Sequence, residues 1–589
     1  MAAQTPASLS NRTTGSTCLH PLSQLLGIPL DQVTASHPRP RSSGWGEECS
    51  RVPLSPAHRK FCLECDMINS KLNDSFHDYK ARLTQPPGNR SSDIIIRSIY
   101  FLLHAALLNP TARHSFHPFT LQPQHVPCLY GAPHLLCLEV MGFKVNFVAC
   151  QLFALSAAFW FRIYLHPGKA SPEVRHALAT ILGIYFVVFC FGWYAVHLFV
   201  LVLMSYGVMV TTSASNIHRY SFFVAMGYLT ICHISRIYIF HYGILTTDFS
   251  GPLMIVTQKI TTLAFQIHDG LGRKAEDLSA EQHRLAVKVK PSLLEYLSYH
   301  LNFMSVIAGP CNNFKDYVAF IEGRHIHMKL LEVNWKQRGF HSLPEPSPTG
   351  AVIQKLCMTL LSLLLFLTLS KSFPVTFLLD DWFVHEANFL SRLWYLYVVM
   401  QAAKPKYYFA WTLADAVHNA AGFGFSGVDA DGNFCWDLLS NLNIWKIETA
   451  TSFKMYLENW NIQTSTWLKC VCYERVPWYP TVFTFVLSAL WHGVYPGYYF
   501  TFLTGVPVTL AARAMRNNYR HHFLSSKARK VAYDVVTWAA TQLAISYTAA
   551  PFVMLAVEPT ISLYNTANLA MAFVIAEMKA KAQGPQVSR

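Results

Sequence analysis

The chain has 589 residues and a formal charge of +14; 52% of it is hydrophobic, only 14% is charged, and its mean hydropathy is +0.24. Soluble domains carry about 25% charged residues, so the composition excludes an ordinary soluble protein and predicts an all-α, polytopic membrane bundle. The positive balance fits cytosolic loops and anionic lipid head groups, and no basic–aromatic platform supports nucleic-acid binding.

Residues 1–33 form a polar, proline-containing N-terminal segment without the apolar stretch of a cleavable signal, so targeting is expected to fall to the first membrane helix. Residues 34–145 are rich in Pro, His, Ser and Arg, as in Ser36-His37-Pro38-Arg39-Pro40-Arg41. They show no sustained period of 3.6 or 2, which predicts a disordered insert with one short helix near Ile94–Leu108. Cys62-Leu63-Glu64-Cys65 is a lone CxxC without a second pair, which argues against zinc. Asn11, Asn73 and Asn89 match the glycosylation sequon, which matters only for a lumenal N-terminus.

Residues 146–564 read as the membrane core. Asn146–Phe161 and Leu356–Ser370 are apolar stretches closed by Arg162 and Lys371. Ile181–Val210 is uncharged and too long for one helix, so it is expected to hold a helix and the start of the next. Tyr220–Phe240, Leu293–Ala308 and Leu393–Ala403 are shorter or interrupted, and Val535–Val557 is a clean single span. At about 20 apolar residues per crossing, these runs suggest roughly ten membrane-embedded segments. Met254–Phe265 is expected as an amphipathic helix in the interface, and Gln266–Lys290 and Lys315–Pro348 as extramembrane loops. The run from Arg513 to Lys530 contains no acid and reads as a cytosolic loop. Residues 565–589 form a divergent tail whose apolar piece, Leu569–Ile575, is too short to span; no internal repeat is present.

The chemistry centres on His492, in Trp491-His492-Gly493. It lies within Val476–Ala512, which contains no Asp, Glu, Lys or Arg. An ionisable side chain at such depth is expensive and is expected to face a cavity and act there. A merely hydrogen-bonded histidine is the plainer reading, since His197, His233 and His241 have similarly apolar surroundings. Upstream, Trp460-Asn461 joins aromatic and amide side chains, and helices through Asn461 and through His492 are expected to bring the two together. A neutral imidazole takes a proton from an alcohol, and an amide N–H polarises a carbonyl or holds the nucleophile. A helix-packing hydrogen bond is the alternative for Asn461.

Lys404-Pro405-Lys406-Tyr407-Tyr408-Phe409-Ala410-Trp411 places lysines beside tyrosines, either for phosphates and polar head groups or as interfacial anchors. Gly422-Phe423-Gly424-Phe425-Ser426-Gly427 has the letters of a dinucleotide motif but follows no strand, so a tight turn or close helix packing accounts for it. There is no G-x-S-x-G, Cys470 and Cys472 lack a nearby base, and the fourteen cysteines show no metal-ligand spacing.

Trp491-His492-Gly493 in an apolar helix, preceded by Trp460-Asn461 and by Pro405–Trp411, resembles the membrane-bound O-acyltransferases, within them the lysophospholipid acyltransferase branch. The resemblance covers residues 1–33 and Asn146–Tyr564, including Ser488–Tyr499; residues 34–145 and the tail depart from it, as alternative splicing or gene-model inclusions would. It implies tilted transmembrane helices around a central chamber, with His492 and Asn461 as the catalytic pair. Trp460, Trp491, Tyr407, Tyr408, Trp411, Lys404 and Lys406 are the expected substrate contacts. The co-substrate would be acyl-CoA from the cytosolic side, with no metal and no bound cofactor. The acceptor would be a lysophospholipid with an ethanolamine or serine head group, esterified at its free sn-2 hydroxyl in the endoplasmic reticulum membrane. Three other readings compete: a family member acylating a sterol or a protein, an inactive scaffold, and a transporter using His492 for proton coupling. Both His492 and Asn461 being present argues against the scaffold. The transporter would call for paired carboxylates or repeated halves, and neither stands out.

Overall fold

A computed structural model of the chain describes residues 132–238, 248–332 and 346–567. All of them fall in one compact unit, Ile95–Arg589. The expectations for residues 1–33, for the insert as far as residue 131, for the CxxC pair and the sequons, for His241, and for the tail beyond residue 567 lie outside the described residues.

The described backbone is helical, as a bilayer demands of a chain that must satisfy its own hydrogen bonds. In order, the principal helices are α1 (Ala132–Tyr164), α2 (Pro172–Phe191), α3 (Val196–Thr211), α4 (Ile217–Tyr238), α5 (Ser250–Ile267), α6 (Leu293–Leu301), α7 (Thr349–Ser372), α8 (Phe389–Ala403) and α9 (Pro405–Ala421). There follow α10 (Phe453–Asn459), α11 (Ile462–Leu468), α12 (Pro480–His492), α13 (Pro496–Phe523), α14 (Lys527–Met554) and α15 (Val557–Ala567). Proline opens α2, α9, α12 and α13, where its missing N–H leaves no bond unmade. Among the described residues the sole strands are the two-residue pair β1 (Gly427–Val428) and β2 (Phe434–Cys435).

Three stretches, 145–164, 172–211 and 349–379, are long and apolar enough to cross a membrane. The second is α2, a 3₁₀ turn over Gly192–Ala195, and α3, the interrupted pair that the uncharged run predicted. α7 turns Leu360, Leu361, Leu364 and Leu367 outward, a contiguous apolar face that water disfavours and lipid accepts.

The remaining helices are less apolar because they bond polar side chains inside the protein, and α5 shows how. It is not the interfacial helix expected over Met254–Phe265: every residue from Val256 to Ile267 is buried. Gln258 donates to Thr464 Oγ1 at 2.9 Å. Lys259 Nζ donates to Tyr299 O at 3.0 Å and Ser305 Oγ at 2.5 Å. Trp467 Nε1 donates to Thr261 Oγ1 at 2.8 Å. The stripe that resembles a solvent face is paired with protein, and periodicity alone does not separate the two environments.

Other expectations shift in the same direction. α1 begins ahead of the boundary at residue 146. Gln266–Lys290 contains the π-turn His268–Gly272 and the boxed helix Ala280–Leu285, tied back by Arg475 gripping both oxygens of Asp269 at 2.7 and 2.6 Å. Lys315–Pro348 includes most of the helix Phe314–Ile321 and all of His325–Glu332. Leu293–Ala308 is helical only to Leu301. The basic run is the tip of a helical hairpin: α13 continues through Arg513, Arg516 and Arg520, and α14 starts at Lys527. Gly422, at φ 88°, ends α9, and a Cβ on Gly424 would lie 1.8 Å from Asn419 Oδ1, so the glycine motif is indeed a tight turn.

Candidate active site

α4, α5 and α8 to α14 enclose a cavity of about 1140 Å³. α12 lines it with Thr481, Thr484, Phe485, Ser488, Trp491 and His492. α13 contributes Tyr498, Thr501, Phe502, Gly505, Thr509 and Arg513. Both sets recur at helical spacing, so each helix presents one face. Phe485 packs on Phe502 (ring centroids 6.3 Å apart) and against Gly505, where a Cβ would lie 2.9 Å from its ring. The two helices therefore run antiparallel, and Arg513 sits about 22 Å along α13 from Tyr498, at the end remote from His492. Phe453 packs with Val508 and Ala544, which brings Lys454 of α10 to the same remote end.

His492 is the last residue of α12. Gly493 ends the helix at φ 134°, a conformation in which a Cβ would also approach within 3.4 Å of His233 Nδ1. The imidazole stacks on Phe502 (centroids 5.1 Å, 19° between planes) and meets Phe552 edge-on (4.9 Å, 90°), with Tyr498 at 5.6 Å. Its neighbour Trp491 is fixed from both sides: the indole N–H donates to Met254 O at 3.0 Å, and His233 Nε2 lies 3.3 Å from Trp491 O. Among the described residues no group hydrogen-bonds the ring nitrogens of His492. Aromatic packing sets the ring plane and leaves both nitrogens for a ligand.

Contrary to the expected helix through Asn461, the residue lies at the hinge between α10 and α11. It adopts the left-handed conformation (φ 50°, ψ 53°), and its side chain caps nothing. Asn is one of the few non-glycine residues that visit this region readily. The hinge is clamped by the segment 438–443. Ile462 N donates to Asn441 O at 3.0 Å, Gln463 N to Asn441 Oδ1 at 3.1 Å, and Asn443 N to Asn459 O at 3.1 Å. The Gln463 amide donates to Leu438 O at 3.1 Å. That segment is anchored in turn: Ser440 Oγ donates to Asp415 Oδ2 at 2.6 Å, and Lys355 pairs with the same carboxylate at 2.7 Å. Asn461 and His492, 31 residues apart in sequence, thus line one cavity.

The other expected contacts divide. Trp460, Tyr407, Trp411, Trp491 and Lys404 line the cavity. Trp460 is the hub of an aromatic wall, with Tyr407 at 5.7 Å, Trp411 at 5.6 Å and Tyr456 at 6.0 Å. Tyr408 and Lys406 stand outside the lining. Tyr408 is buried and donates to Glu448 Oε1 at 2.6 Å; Lys406 is exposed and lies over the Tyr407 ring. Lys404 is paired with Glu448 at 2.9 Å, so an internal carboxylate already answers its charge. Sequence reasoning missed the polar wall of His233, Arg236, Asp248 and Ser250, and the cations Lys454, Lys469 and Arg513. The i, i+3 spacing of His233 and Arg236 on α4 was the available signal. Among the described residues no cluster of three or more His, Cys, Asp or Glu is arranged to hold a metal ion.

An aromatic cavity that presents one unbonded imidazole and one uncapped amide is suited to acyl transfer onto an alcohol, and comparison with known proteins agrees. Residues 234–550 match the model of the membrane-bound O-acyltransferase family. The chain is 75% identical over 566 residues to membrane-bound glycerophospholipid O-acyltransferase 1 of Mus musculus, covering 96% of this chain and 92% of that one. Against the Homo sapiens protein of the same name the identity is 85% over 431 residues, 73% of this chain and 87% of its relative. Lysophospholipid acyltransferase 6 of Drosophila melanogaster is 42% identical over 426 residues, 71% of this chain and 58% of that protein. The matched region spans both Asn461 and His492, and the chain belongs to the membrane-bound O-acyltransferase family.

Proposed function

We propose that this O-acyltransferase moves an acyl group from acyl-CoA to the free sn-2 hydroxyl of a lysophospholipid with an ethanolamine or serine head group. The observation that carries the reading is that His492 and Asn461 open onto one cavity walled by aromatic side chains. His492 takes the hydroxyl proton; the oxygen attacks the thioester carbonyl as the C–S bond breaks, and the imidazolium returns its proton to the coenzyme A thiolate. Asn461, its amide uncommitted, donates to the carbonyl oxygen as negative charge develops there. Holding both substrates in one cavity replaces an encounter by an orientation. The names of the relatives, which specify glycerophospholipid and lysophospholipid acyl transfer, support the acceptor class.

The donor enters at the remote end in this reading. Lys454 and Arg513 line the cavity there, where the phosphates of acyl-CoA would meet them; the Lys454 pair with Glu458 is exposed and long at 3.5 Å, whereas buried Lys404 meets Glu448 at 2.9 Å and Lys469 pairs with Glu474. The remaining features follow the family resemblance: roughly ten membrane-embedded segments around the cavity, and residence in the endoplasmic reticulum membrane. The test is transfer from labelled oleoyl-CoA in microsomes expressing the chain, against a panel of lysophospholipids, a sterol and a protein acceptor. Lysophospholipid product that vanishes in His492→Ala at equal expression is expected; product on another acceptor alone overturns the proposal.

A further inference from the structure

Beside His492 the cavity wall carries a charged pair that the acyl-transfer chemistry leaves unused. Arg236 lies on α4, three residues after His233 and so about 4.5 Å further along the helix. Its Nη1 donates to Asp248 Oδ1 at 2.6 Å and to Ser250 Oγ at 3.0 Å. Ser250 returns to the same oxygen twice, from Oγ at 2.5 Å and from its backbone N–H at 3.1 Å. Three groups therefore converge on Asp248 Oδ1. Among the described residues none bonds Oδ2, although 46% of the Asp248 side chain remains exposed. Arg236 is similarly half-used: among the described residues only Nη1 is engaged, and Nε is buried without a partner. An ion pair built only for stability would normally bond more of its donors, because an unpaired buried N–H is costly. Here an anion-seeking edge and a cation-seeking oxygen stand side by side in one cavity wall.

We infer that Arg236 and Asp248 read the head group of the acceptor lipid, Arg236 taking the phosphate and Asp248 Oδ2 a primary ammonium. This rests on the proposal that a lysophospholipid is the acceptor, and it names the residues that set which one. The complement of an arginine edge next to a free carboxylate oxygen is a phosphodiester carrying an amine with N–H donors. Ethanolamine and serine head groups carry such an amine; a choline head group presents three methyls and no N–H, and leaves Oδ2 desolvated without a bond. Sites built to hydrogen-bond a substrate N–H discriminate against the analogue lacking it, because their own polar group is then left unpaired.

The test needs no mutation at first. The full chain, in nanodiscs, is assayed with oleoyl-CoA and four acceptors that differ only in the head-group nitrogen: ethanolamine, its N-methyl and N,N-dimethyl derivatives, and choline. KM is expected to rise along the series by on the order of tenfold or more, the largest step coming when the last N–H is lost. Asp248→Asn is expected to narrow the choline-to-ethanolamine KM ratio, and Asp248→Glu to restore part of it. Arg236→Gln is expected to raise KM for all four acceptors. A flat series in the active wild type overturns the assignment while leaving lysophospholipid transfer intact, and so does an Asp248→Asn variant that lowers kcat for all four alike with the ratio unchanged. A wild type that acylates sterol or protein but none of the four acceptors defeats both proposals.

Discussion

His492 and Asn461 owe their availability to different local devices, and the difference is testable. His492 is oriented by rings and touched by no carboxylate among the described residues, so its removal should abolish proton transfer without disturbing an ion pair. His492→Ala is expected to lower kcat by roughly 10²–10⁴-fold, with the thermal midpoint close to that of the parent. Asn461 combines an amide with a left-handed backbone. Asn461→Gly keeps the backbone permissive and removes the amide; Asn461→Ala removes both. Each should lower kcat by on the order of 10²–10³-fold, as loss of one oxyanion donor does. Only the alanine variant should also lose about 1–2 kcal/mol of stability from the forced conformation, read as a lower unfolding midpoint in detergent.

At the level of elements, the hinge that holds Asn461 depends on a buried ion pair two steps away. Lys355 on α7 and Asp415 on α9 meet at 2.7 Å, and Ser440 hangs from the same carboxylate. Breaking one partner strands the other charge, so Asp415→Ala is expected to destabilise the protein by about 3–5 kcal/mol. The milder change is more informative. Gln463→Leu removes the amide bond to Leu438 O while leaving the ion pair, and is expected to reduce kcat several-fold with the acyl-CoA KM held. An equal loss of stability in both variants would show that the clamp supports the fold and not the hinge. α5 makes a related point about reading sequence: its polar stripe, Thr257, Gln258, Thr261 and Thr262, looks amphipathic, yet its partners are α11 and the chain after α6.

For the whole molecule, the proposed reading assigns the two substrates to differently charged ends of the cavity. Arg236 and Asp248 lie one turn from His233 near the catalytic end, and Lys454 and Arg513 lie at the other. Lys454→Ala combined with Arg513→Ala is expected to raise the acyl-CoA KM several-fold, with the difference shrinking as ionic strength rises, since these cations are exposed and screened. Lys404→Met should instead lower stability and leave that KM nearly unchanged, because its partner is Glu448. A Lys404→Met variant whose only defect is in acyl-CoA KM would return that lysine to the donor site.

Much of this was legible in the chain itself. Low charge and long apolar runs determine a helical membrane protein, because a backbone in lipid has no other way to satisfy its hydrogen bonds. A histidine in a run of 37 uncharged residues, Val476–Ala512, marks the site because an ionisable group there needs a reason to exist. The resemblance carried by Trp460-Asn461 and Trp491-His492-Gly493 supplied the rest of the proposed catalytic pair. Tertiary structure alone decided which polar residues are spoken for. Sequence could not reveal that Glu448 engages Lys404 and Tyr408, that among the described residues nothing bonds Asp248 Oδ2, or that α5 is central and not interfacial. Those outcomes turn on hydrogen-bond partners that are remote along the chain, and periodicity reports which face of a helix is polar but never what lies opposite it.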